Sequence, residues 1–107
     1  MAWVQGLSVR ILTHERVRVE RKPVVEAIMD IVRRDGLAGV TVTRAIEGWT
    51  ARGGVRTATW VDLSDDLPVV IEIVDRAEKI EAALPDLVAV SAHGVTTVTE
   101  MRLYIAG

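Results

Sequence analysis

Residues 63–87, LSDDLPVVIEIVDRAEKIEAALPDL, leave this chain little freedom. A turn, a strand and a helix follow one another there with almost no spacer. Residues 67–74 form a near-continuous apolar run, the pattern of a strand covered on both faces or packed centrally in a sheet. Asp75 stands where an N-cap belongs, with Glu78 three residues on and able to reach back as in a capping box. Ile80, Ala83, Leu84 and Leu87 recur at helical spacing, and Arg76, Glu78, Lys79, Glu81 and Asp86 are left for solvent. Pro85 falls inside this pattern. An interior proline costs a helix about 3 kcal/mol or more, so the sequence predicts a kink or an end near Leu84.

The rest of the chain alternates in the same way. Residues 6–13 read as a strand, with Leu7, Val9 and Ile11 opposed to Ser8, Arg10 and Leu12. The charged run HERVRVERK, residues 14–22, predicts an exposed connection or an extended edge. Pro23 suits a first helical turn, and Val24, Ala27, Ile28, Ile31 and Val32 mark a helix face that Gly36 stops. Residues 39–47 predict a second strand, and residues 48–54 a glycine-rich loop. Residues 55–63 extend again, turn through Ser64-Asp65-Asp66 and enter the 67–74 strand. Ser91-Ala92-His93-Gly94 make a turn before a last strand, residues 95–105. The order is β-α-β-β-α-β. Right-handed crossovers put both helices on one face of an antiparallel four-stranded sheet, so the fold class is an α+β, ferredoxin-like sandwich in one domain over residues 1–107. Its other face, rich in Val, Ile and Thr, predicts self-association.

Composition excludes several function classes. A net charge of −2 lacks the basic footprint of a general nucleic-acid binder. No stretch approaches the roughly 18 apolar residues of a membrane span, and no signal-peptide pattern opens the chain, so a soluble cytoplasmic protein is expected. Without cysteine there is no disulfide and no thiolate nucleophile. His14 and His93 are the only histidines, too few for a zinc site within one chain unless a threefold axis gathers copies. Ser64 beside Asp65-Asp66 is turn chemistry, and Ser91 near His93 lacks an orienting partner, so no enzyme is expected.

Four segments carry a resemblance: KPVVEAIM (22–29), DGLAGVTVTRAIEGW (35–49), RTATWVDLSDDLPVVIEIVD (56–75) and EKIEAALPDL (78–87). They resemble the PII-like superfamily, and closely its branch known as domain-of-unknown-function family one-ninety, over residues 7–103. The resemblance implies a homotrimer whose sheets form a central barrel. It also implies a small-molecule sensor binding an anionic metabolite of the AMP/ADP class between subunits, with a membrane transporter as a partner and no metal or resident cofactor. Thr41 and Gly48 match the PII motif at the loop base and Trp49 stands for its aromatic, whereas Thr50 replaces its second glycine. His93-Gly94 keep one glycine of the second nucleotide loop, and Val95 stands where PII has lysine. Arg44, Arg52 and Arg56 flank the glycine-rich segment and could donate bidentate bonds to an anion, and Trp49 or Trp60 could stack a base. Weaker triphosphate selectivity follows, with AMP or ADP preferred to ATP. The competing reading is a structural trimer of the cation-tolerance-protein type without a regulatory ligand.

Overall fold

A computed structural model describes residues 2–51, 54–57 and 66–106. Its main sheet holds β1 (Ala2–His14), β4 (Gly39–Arg44), β7 (Pro68–Arg76) and β8 (Val95–Ile105) in the order β4-β7-β1-β8, every pair antiparallel. The helices α1 (Val24–Asp35) and α2 (Ala77–Val90) connect β1 to β4 and β7 to β8. Two small hairpins complete the chain: β2 (Arg18–Val19) with β3 (Lys22–Pro23), and β5 (Glu47–Thr50) with β6 (Gly54–Thr57). This is the ferredoxin-like α+β sandwich the sequence predicts.

The core lies between the sheet and the two helices. Leu7, Val9 and Ile11 of β1 and Val69, Ile71 and Ile73 of β7 point to one face, as the period of two requires. Val24, Ile28, Ile31 and Val32 of α1 and Ile80, Ala83 and Leu87 of α2 close over them. Each fully buried Ile or Leu contributes about 1.5–3 kcal/mol of transfer free energy. Gly36 ends α1 in the left-handed region at φ 59°, and Leu37 N–H donates to the Val32 carbonyl at 3.1 Å.

Several sequence expectations are corrected in detail. Asp75 is not an N-cap. It stays paired in β7, the α2 cap is Arg76 with no side-chain cap bond, and the buried Asp75 carboxylate accepts from Ala38 N–H at 2.9 Å and Arg76 N–H at 2.6 Å. Its charge thus fastens the α1–β4 joint. Pro85 does not end α2, which continues to Val90. The ring is exposed, and Leu87 beyond it is fully buried, so core packing offsets the lost helical bond. Pro23 caps α1 from outside its first turn. The 39–47 strand stops at Arg44, because Ala45 N–H turns to the Pro68 carbonyl at 2.8 Å. The chain then restarts as β5, which makes the predicted glycine-rich loop largely a paired hairpin. The turn at 64–65, Trp60, Arg52 and most of the 55–63 extension lie outside the described residues.

The charged run 14–22 also folds further than predicted. Its hairpin turns through Glu20 and Arg21 at φ 50° and 69°, and Arg18 donates to the Arg21 carbonyl. Val17 is drawn into the core. At the other end of the sheet, residues 2–5 of β1 pair only with β8, beyond the end of β7. That arm carries Trp3 and Tyr104 edge to face at 5.1 Å, with the Arg102 guanidinium 5.1 Å from the Trp3 ring centre. The uncovered sheet face is mixed where an apolar one was expected. Ser8 donates to Glu72 at 3.3 Å near its centre, Arg10 lies 3.8 Å from the same carboxylate, and Val70, Val74, Met101 and Leu103 surround them.

Truncating the central strand tests this packing. Ile73→Ala should lower the unfolding free energy by about 2–5 kcal/mol, read from the denaturant midpoint at unchanged slope. A loss below about 1 kcal/mol would mean that Ile73 is not in the core.

Candidate ligand-binding site

Three strand ends meet at the edge of the sheet. β1 finishes at His14, β7 begins opposite it at Pro68, and β4 finishes at Arg44 opposite Val69. The β5–β6 hairpin rises from this junction. A cavity of about 130 Å³ opens there. Leu12, Thr13 and His14 line it from β1 and Pro68, Val69 and Val70 from β7, while Ala45, Glu47, Gly48, Trp49, Thr50 and Gly54 complete the wall. Its surface is mainly apolar. Thr13 is buried, and its hydroxyl has no hydrogen-bond partner among the described residues. A buried hydroxyl left without a partner is costly.

Two glycines permit the approach of the walls. A Cβ at Gly48 would lie 3.1 Å from Pro68 Cγ, so a side chain there would require Pro68 to give by a few tenths of an ångström. A Cβ at Gly94 would stand 2.4 Å from the Leu12 carbonyl oxygen, a contact no side chain tolerates. Gly94 therefore lets the turn before β8 lie against the end of β1 that forms the cavity wall.

Charge around the cavity is paired. Arg44 grips Glu15 with two bonds, Nε to Oε1 at 2.7 Å and Nη2 to Oε2 at 3.2 Å. Leu67 N–H donates to the same carboxylate at 3.2 Å. The Arg44 guanidinium, chiefly, holds the Glu15 carboxyl below its ordinary value, and Glu15 in turn raises Arg44. His14 Nδ1 lies 2.9 Å from both carboxylate oxygens of Asp66, and Arg16 N–H donates to one of them at 3.0 Å. No group of three or more metal-ligating side chains occurs among the described residues.

The predicted site residues divide accordingly. Gly48 and Trp49 line the cavity, with Trp49 still 68% exposed, so a flank of the indole remains open to a ligand. Gly94 supports the wall. Arg44 stands at the edge, engaged by Glu15. The main chain sets Arg56 opposite Gly48. His93 is exposed in the turn preceding Gly94 and does not line the cavity. Thr41 is exposed at the partner position of Glu72, on the open sheet face and away from the cavity. Arg52 lies outside the described residues. Sequence reasoning missed Thr13, His14, Pro68 and Asp66, whose one signal was position at a strand end.

The family model described as DUF190, Uncharacterized ACR, matches residues 6–103. A UPF0166 protein of Aquifex aeolicus is 37% identical over 87 residues, 81% of this chain and 83% of that protein. A UPF0166 protein of Methanocaldococcus jannaschii is 35% identical over 102 residues, 94% of each chain. Among solved structures, the fold is similar to CPII of Thiomonas intermedia K12, a nitrogen regulatory PII-like protein bound to ADP, AMP and bicarbonate. The TM-score there is 0.67 at 18% identity, covering 95% of this chain and 91% of that one. A putative PII-like signalling protein of Thermus thermophilus has a TM-score of 0.58 at 19% identity, covering 98% and 93%.

The Glu15–Arg44 pair sets an acid dependence. A carboxyl lowered in the folded state stabilises above its unfolded value of 4.5, and that stability is lost as pH falls through the folded value. The melting temperature should hold above about pH 5 and decline below about pH 4.5, less steeply in Glu15→Gln. An identical decline in wild type and variant would show that Glu15 contributes nothing to it.

Proposed function

The chain belongs to domain-of-unknown-function family 190 and has a PII-like fold, and from that premise we propose that it is a small-molecule-sensing signalling protein. The ligand is an anionic metabolite of the AMP or ADP class, held at the base of the β5–β6 hairpin. The protein acts by binding and not by catalysis. It works in the cytoplasm as a homotrimer and reports ligand state to a partner such as a membrane transporter. The observation that carries the reading is the cavity itself. Three strand ends and a hairpin build it, and its wall holds a half-open indole. The description of CPII as bound to ADP, AMP and bicarbonate supports the ligand class. No described helix is long and apolar enough to cross a membrane, which fits a partner that supplies the membrane part.

The assembly is supported by the sheet face that no helix covers. Val70, Val74, Met101 and Leu103 lie there part-buried, and Val95 is exposed. An uncovered sheet face bearing such residues is commonly covered by closed symmetric association. Arg10 and Glu72 on the same face supply a polar register mark for such packing.

Two measurements test the proposal. Light scattering should give about 35 kDa, three copies of an 11.7 kDa chain. A stable monomer at micromolar concentration would overturn the assembly. In a thermal-shift and calorimetry panel of AMP, ADP, ATP, cyclic dinucleotides and bicarbonate, AMP or ADP should raise the melting temperature by several degrees at about 100 Kd. Trp49→Ala should weaken that binding about tenfold, through lost stacking. A panel with no adenine nucleotide bound would remove the ligand reading.

A further inference from the structure

From the His14–Asp66 pair in the cavity wall we infer a specificity device: His14, positioned by Asp66, recognises an amino-substituted aromatic ring through Nε2. The inference rests on the ligand reading above and adds which group of the ligand enters the cavity and what selects it.

A carboxylate can only accept hydrogen bonds, so the Nδ1 it holds at 2.9 Å carries the proton. In the neutral ring Nε2 is then an acceptor, and it meets no partner among the described residues. The pair is well held: the His14 and Asp66 side chains are 16% and 25% exposed, and Arg16 N–H fixes the carboxylate at 3.0 Å. The cavity wall thus offers an acceptor at His14. Apolar walls from Leu12, Val69 and Val70 suit a flat ring, and Trp49 offers a face to stack on.

No lysine or arginine lines the cavity among the described residues, and Arg44 beside it is engaged by Glu15. A phosphate or other anion therefore finds little inside, whereas a ring edge with an amino donor finds its complement at His14. Adenine has that edge. Hypoxanthine, with a carbonyl and a ring N–H in the same places, has the reverse.

Calorimetry of AMP and IMP on the intact protein tests this. The ratio of their affinities cancels the contribution of the phosphate they share. The expected result is AMP favoured about tenfold or more. His14→Ala should bring the ratio near one. In Asp66→Asn the side-chain carbonyl stays with Arg16 N–H and the amide faces Nδ1. The ring proton then moves to Nε2, and the preference should turn toward IMP. Equal binding of AMP and IMP by wild type, or a ratio unmoved by His14→Ala, would overturn the inference while leaving the nucleotide reading intact. Absence of any AMP binding would overturn both.

Discussion

The register of β7 between β1 and β4 is the constraint on which the rest depends. Val9, Ile73 and Val40 stand side by side across three strands, and Ile11, Ile71 and Val42 do so one step along. The β1 and β7 members of both rows are fully buried beneath the helices. A slip of one residue would turn Ile71 and Ile73 outward and bring Glu72 under α1 and α2, exchanging apolar burial for a buried charge. The same register sets His14 against Pro68 and Arg44 against Val69. Core packing and cavity geometry are therefore one fact, because the strand ends that form the wall are fixed by the isoleucines that fill the core.

That link explains what could be read from the chain by itself. Alternation gave β1, a near-continuous apolar run gave β7, and the 3.6-residue period gave both helices, since each signal sits in a run of neighbouring residues. Local preference misled at Asp75 and Pro85, where tertiary terms prevail: a backbone N–H of Ala38 claims the aspartate, and burial of Leu87 carries α2 past its proline. The break after Arg44 was hidden for a similar reason. It comes from a hydrogen bond between Ala45 and Pro68, residues far apart in sequence.

The site was legible only in part. Gly48, Trp49 and Gly94 were found through the resemblance of their segments to the two loop motifs of PII proteins. Thr13 and His14 were not, since nothing in ILTHERVR distinguishes a strand end facing a cavity from one facing water. Arg44 shows the opposite error. Its spacing suggested an anion clamp, yet Glu15, whose distance in sequence gave no warning, holds it with two bonds.

The walls of the cavity are fastened before any ligand arrives. Glu15 N–H donates to the Leu67 carbonyl at 3.0 Å, Leu67 N–H returns a bond to the Glu15 carboxylate, and Ala45 N–H reaches the Pro68 carbonyl. Asp66 joins the same stretch to His14 and Arg16. Three successive residues, 66–68, thus tie β7 to the ends of β1 and β4 by main-chain and charge-assisted bonds. Such a site has already lost the conformational entropy that a looser one would lose on binding, so more of the contact energy appears as affinity.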